Sequence, residues 1–151
     1  MTDGYHYTDC GLDYVYLQNG YTVHNTRHGE GVSIKDARKL HERIALAILD
    51  RHTPLQGQDA RFLRSMLRLS QEGLARVLRQ QRGSVARWEA EPGKDLPGAA
   101  DSALRMFYAL KAGGHDTAVR VITLLQEIDD LQHEPADLCL RNDGVWTAAA
   151  A

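Results

Sequence analysis

Two cysteines, Cys10 and Cys139 at opposite ends of a 151-residue chain, are too few for a disulfide framework. No apolar run approaches the roughly 18 residues of a membrane span, and no basic leader precedes an apolar core. The expectation is a soluble, cytoplasmic protein with reduced thiols and no membrane partner. The chain also lacks a phosphate-cradling glycine loop, a G-x-S-x-G elbow and any clustering of its seven histidines. No enzyme, catalytic residue or cofactor is expected. Cys10 with His6, His24 and His28 lacks the close ligand pair of a tetrahedral zinc site, so these read as surface histidines beside an ordinary cysteine, and no metal is expected. A net charge of -2, from 18 basic and 20 acidic residues, disfavours a nucleic-acid partner when taken as a total.

What is present suits a packed core: 43% apolar and 25% charged residues, in a length that allows one compact domain or a small domain with an appended module. Five of the six tyrosines (Tyr5, Tyr7, Tyr14, Tyr16, Tyr21) fall in the first 25 residues. They suit either a binding platform or the packed face of a hairpin. Tyr14–Leu17 and Tyr21–Val23 flank Asn19-Gly20, which predicts a β-hairpin, followed by a loop over Thr26–Gly31. Ser33 with Asp36 reads as a variant capping box for a helix running to about Asp50, with Ala37, Leu40, Ile44 and Ile48 on one face. Residues 52–57 break it at Pro54 and Gly57 and make a candidate domain boundary. Three short helices are predicted within 58–89, then a turn over 91–98, a helix over 99–110 and another over 116–132. In the tail, 138–141 and 145–147 around Asn142-Asp143-Gly144 allow a second hairpin, and 148–151 should fray. The predicted division is a 1–52 hairpin-plus-helix module, a helical domain over 56–112, a C-terminal helix over 115–134 and a 135–151 tail. The stripe of Ala118, Val121, Ile122, Leu125 and Ile128, extended by Leu124 and Leu131, suits either an intramolecular core or self-association.

Charge is unevenly distributed. Residues 58–89 carry seven basic and three acidic groups, whereas the flanks carry -1 and -5. All seven are arginine (Arg61, Arg64, Arg68, Arg76, Arg79, Arg82, Arg87), whose planar fork of donors suits phosphates and the guanine edge. Asp59, Glu72 and Glu89 cannot neutralise them all.

Within this segment Leu69-Ser-Gln-Glu-Gly-Leu-Ala-Arg-Val-Leu78 and Gln81-Arg-Gly-Ser-Val-Ala-Arg-Trp-Glu89 resemble the helix-turn-helix of the Cro/C1-type (XRE) transcriptional regulators, over about residues 57–112. The resemblance implies a mainly α protein: a five-helix Cro/C1-type helix-turn-helix domain, here with a small N-terminal β-hairpin and a linking helix. It implies binding to double-stranded operator DNA as a homodimer. The spacing gives its own reasons: Ser70 caps one helix, Leu74, Ala75 and Leu78 bury its inner face, and Val85 and Trp88 face the same core from the next. Gln81, Arg82, Ser84 and Arg87 are then expected on the outward face, with Arg82 and Arg87 on guanine or phosphate, Gln81 and Ser84 on base edges, and Gln71, Arg61 and Arg79 on phosphates. The sequence departs from the family where Arg79-Gln80 stands in place of glycine and an apolar residue, which predicts a slightly distorted turn.

The N-terminal run Tyr5–Asp13, with Asn19-Gly20-Tyr21 and Gly31–Ile34, resembles regulators near the MqsA (YgiT) antitoxins. This implies a two-part architecture and, as an alternative reading, an antitoxin whose N-terminal module neutralises a toxin partner. The chain has none of that family's paired zinc-binding cysteines.

Overall fold

A computed structural model of the chain describes residues 4–127 and 137–149. It divides into two compact units, Met1–Ile44 with Ala136–Ala151 and Ala45–Pro135, the division falling inside the first helix.

The first unit is built on β structure, which corrects the expected mainly α fold with one small hairpin. Strands β1 (Tyr5–His6), β2 (Val15–Leu17), β5 (Leu138–Asn142) and β6 (Trp146–Ala149) form a mixed four-stranded sheet in that spatial order. β2 runs parallel to β5, while the outer pairs are antiparallel. Alternation explains the central position of β2. Val15 and Leu17 are fully buried, and Tyr16 between them stacks on its cross-strand neighbour His6 at 4.5 Å. Tyr7 and Tyr14 are also buried, so these two belong to the packed face.

The predicted pairing of Tyr14–Leu17 with Tyr21–Val23 does not form. Asn19 is committed instead to a long-range partner: its Oδ1 accepts the Asn142 N–H at 2.6 Å and its Nδ2 donates to the Asn142 carbonyl at 3.0 Å. Gly20, at φ +78°, carries the chain past the Trp146 ring, where a Cβ would lie 2.5 Å from an indole carbon. Beyond it, β3 (Tyr21–Thr26) pairs with β4 (Gly29–Ile34) in a separate two-stranded ribbon, so of the stretch expected as a loop only Arg27 and His28 form a turn, while Thr26 and Gly29–Gly31 belong to strands. Its turn is closed by the Thr26 hydroxyl, which donates to the Gly29 carbonyl at 2.6 Å. Ser33 does not cap the next helix, because its hydroxyl bonds the His24 ring at 2.9 Å within the ribbon. Helix α1 (Ala37–Leu49) accordingly begins at Ala37.

In the second unit, α2 (Gly57–Met66), α3 (Gln71–Leu78), α4 (Arg82–Ala90) and α5 (Gly98–Tyr108) are followed by a π-helical turn, Ala109–Gly113, and α6 (Gly114–Glu127). Their inner faces bury Leu63, Leu74, Val85 and Leu104 completely. Arg105, fully buried on α5, organises the segment between α1 and α2. Its Nε donates to Asp101 at 2.6 Å, Nη1 to the Arg51 carbonyl at 2.6 Å and Nη2 to the Thr53 carbonyl at 2.7 Å. The second Asp101 oxygen accepts the Leu55 N–H at 2.7 Å. With the Leu49 carbonyl, which accepts from Nη1 at 3.2 Å, the buried ion pair satisfies four backbone groups and is a fixed connection, since each group left bare would cost about 1–3 kcal/mol. On α6, Ala118 and Val121 are buried whereas Val119 and Ile122 are 47% and 43% exposed. Ile128 and Leu131 of the expected stripe lie outside the described residues, as do residues 150–151 of the expected frayed end, while Ala148 and Ala149 belong to β6.

Candidate nucleic-acid interface

The candidate surface is built by α2, α3 and α4 of the second unit. Asp59, in the first turn of α2, accepts the Gln56 N–H at 2.8 Å and an Arg51 donor at 3.1 Å, so it is taken up outside the arginine segment. α3 starts at Ser70, whose hydroxyl oxygen accepts the Gly73 N–H at 2.9 Å. Leu74, Ala75 and Leu78 are buried beneath it, and Val85 and Trp88 bury one side of α4. With that side fixed inward, Gln81, Arg82, Gly83, Arg87 and Ala90 are exposed, and Ser84 is half-buried.

The turn between α3 and α4 forms with an arginine where glycine is usual. Arg79 sits in the left-handed region, φ 57° and ψ 40°. The Gln80 N–H donates to the Ala75 carbonyl at 2.8 Å and the Arg79 N–H to the Arg76 carbonyl at 3.3 Å. This is the double closure of a Schellman motif, normally completed by a residue without a Cβ.

Three acids meet the seven arginines of the segment unevenly. Glu89, on α4 with its side chain only 6% exposed, is gripped by Arg64 of α2 through Nε–Oε2 and Nη2–Oε1 contacts of 2.7 Å each. Nη1 of the same arginine donates to the Leu69 carbonyl at 2.9 Å, tying α2, the loop before α3 and α4 together. The Glu89 hydrogen bond raises the Arg64 pKa above its ordinary value against the opposing effect of burial. Arg76 pairs with Glu72 along α3 at 3.6 Å, an exposed contact of little energetic weight. Arg61, Arg68, Arg79, Arg82 and Arg87 are all exposed and have no acidic partner within 4.0 Å among the described residues.

Of the residues expected on this surface, Arg61, Arg79, Gln81, Arg82 and Arg87 are exposed on α2, the turn and α4. Gln71 is half-buried, and its amide nitrogen lies 3.4 Å from Glu89 Oε1. That contact ties its side chain to the ion pair. Arg87 also lines a cavity of about 270 Å³ with Trp88, Glu91, Lys94 and Leu96. Two features escaped the sequence reading. Arg64 is an internal strut, which only its reach across α2 to α4 reveals. Arg68 lies outside the expected site, although its place directly before the Leu69-Ser70 cap puts it at the end of one helix beside the start of the next.

No family model matches this chain, and no curated protein or solved structure matches it.

Proposed function

We propose that the chain is a sequence-specific DNA-binding transcriptional regulator, an autorepressor that recognises a palindromic operator as a homodimer, and not an enzyme. One observation carries the reading: five exposed arginines with no acidic partner among the described residues are displayed by α2, α4 and the turns that end α2 and α3, on helices whose inner faces are locked in a core. Unpaired guanidinium groups held on rigid elements suit phosphate oxygens and guanine edges. Between Arg82 and Arg87 the outward side of α4 bears only small residues, and the space above Gly83 is open to 4 Å. A helix with so little side-chain bulk can lie deep in a major groove. In this reading Arg82 and Arg87 contact guanine or phosphate, Gln81 and Ser84 base edges, and Arg61 and Arg79 phosphates. Gln71 reaches a phosphate only on leaving Glu89. The exposed Val119 and Ile122 of α6 support self-association, which doubles the few readable side chains and spaces them about one helical turn, roughly 34 Å, apart. The site of action would be the cytoplasm.

Arg82→Ala tests the reading in a gel shift on DNA from upstream of its own gene. The expected loss is about 1–3 kcal/mol of operator affinity with relaxed base choice. An unchanged midpoint at fixed salt overturns the assignment.

A second reading, an antitoxin that neutralises a toxin, is favoured by the β3–β4 ribbon, in which every residue from Thr22 to Glu30 is exposed, Val23 among them. Two-stranded ribbons are marginal alone, and a docked protein partner would complete this one. Co-purification with the product of an adjacent small reading frame supports it; failure of the two products to associate removes it.

A further inference from the structure

Among the described residues, positive φ at a residue other than glycine occurs at three positions, Asp36, Arg68 and Arg79. Two of the three are arginines of the basic segment, at φ 57° each. Both end a helix in the same way. At the end of α2 the Leu69 N–H donates to the Arg64 carbonyl at 3.2 Å and the Arg68 N–H to the Ser65 carbonyl at 3.0 Å, reproducing the pair of bonds that closes α3 around Arg79. The left-handed residue of such a closure is ordinarily glycine or asparagine, because any Cβ crowds the following carbonyl. An arginine there is strained, and strain of this kind persists where function holds it.

The attraction of a helix carbonyl end for a cation does not account for the choice. Any position of the last turn satisfies it, without the left-handed residue carrying the charge. Solubility does not account for it either, since an exposed charge is free to stand at an unstrained position. Both guanidinium groups are instead exposed, with no acid within 4.0 Å among the described residues. They also bracket one element. Arg68 precedes the Ser70 cap, Arg79 follows Leu78, and the eight residues of α3 between them rise about 12 Å, the width of a DNA major groove.

We propose that Arg68 and Arg79 are a pair of phosphate clamps at the two ends of α3, and that the fold accepts left-handed arginines to place one on each strand bordering the groove. The proposal rests on the DNA-binding reading and extends it to Arg68. These clamps position the protein and read no base, so their removal acts alike on every duplex.

The test uses the full chain with Arg68→Gly and Arg79→Gly, singly and together, and a melting curve beside DNA binding over a salt series. The duplexes are the DNA upstream of its own gene and an unrelated sequence of equal length. Relief of the left-handed strain is expected to leave each variant's melting temperature unchanged or raised by about 2–4 °C. Affinity for both duplexes at 0.1 M salt is expected to fall about five- to tenfold per arginine, with the log–log salt slope reduced by about 0.9 each. Arg68→Asn and Arg79→Asn, which keep the left-handed turn and remove the charge, should repeat the loss, whereas Arg68→Lys and Arg79→Lys should retain most of the slope. Glycine variants that bind with the wild-type slope while the wild type binds DNA overturn the clamps and leave the DNA reading standing. A lowered melting temperature in the glycine variants overturns the strain argument. A wild-type chain with no salt-dependent binding to either duplex overturns both.

Discussion

Removing Arg64 tests whether the surface is presented by a rigid frame. The perturbation is Arg64→Met, which keeps an unbranched stem and deletes the guanidinium. The side chains of Arg64 and Glu89 are 18% and 6% exposed, and the substitution takes two 2.7 Å contacts from the carboxylate and a 2.9 Å bond from the Leu69 carbonyl. Glu89 is left with the Gln71 amide at 3.4 Å. Breaking a buried pair from one side costs about 3–5 kcal/mol, and the partial exposure of Arg64 reduces that to about 2–3 kcal/mol through solvent screening. For a unit of this size the loss lowers the melting temperature by about 10 °C or more. Urea and thermal unfolding followed by circular dichroism measure it. Because most of the cost is the stranded carboxylate, Glu89→Gln in the same background should recover part of the loss, giving a coupling of at least about 1 kcal/mol in a double-mutant cycle. A melting temperature within about 1 °C of wild type, or strictly additive single effects, would refute the strut.

Two glycines should respond in opposite ways. A Cβ at Gly57 would lie 1.9 Å from the Trp88 carbonyl oxygen and 2.7 Å from that of Glu91, so Gly57→Ala should cost at least about 2 kcal/mol in urea unfolding, while Gly83→Ala, with open space above it, should gain up to about 1 kcal/mol. In the first unit, Tyr7 Oη and His41 Nε2 share a hydrogen bond of 2.8 Å, and burial lowers the His41 pKa from its ordinary 6.5. The folded state therefore binds fewer protons there, so stability present above about pH 6.5 should be lost as pH falls toward the lowered value, and His41→Gln should flatten that part of a stability–pH curve. Burial pushes the Tyr7 phenol up to about 12, so its contribution is present below its ordinary 10.0 and should be lost between the two values; phenolate absorbance with Tyr7→Phe as control measures it.

The helices of the second unit were legible because their signals are local. Ser70 caps as its hydroxyl allows, and the spacing of Leu74 with Leu78 and of Val85 with Trp88 places all four in the core. The β5–β6 hairpin around Asn142-Asp143-Gly144 was legible in the same way, but the sheet it joins was not, because the parallel partner of β2 and the partner of Asn19 lie more than 100 residues away, at 138–142. Asn19-Gly20 has the composition of a hairpin turn, yet its hydrogen bonds go to Asn142 and its glycine clears Trp146. Gly29 and Gly31 gave β4 the look of a loop, although strand pairing asks only for backbone groups. The arginine count of the surface was visible in composition. Which arginines stand free was not, since Asp59 is drawn to Arg51 and Glu89 to Arg64 by tertiary placement.

The salt dependence of binding to the DNA upstream of its own gene tests the central claim most directly. Each phosphate neutralised contributes about -0.9 to the log–log slope, so five free arginines predict about -4.5 for one protomer and about -9 for a homodimer. A slope in that range, together with tighter binding than to an unrelated duplex, is the expected result. A response shallower than about -1, one phosphate's worth, would contradict DNA binding by this surface.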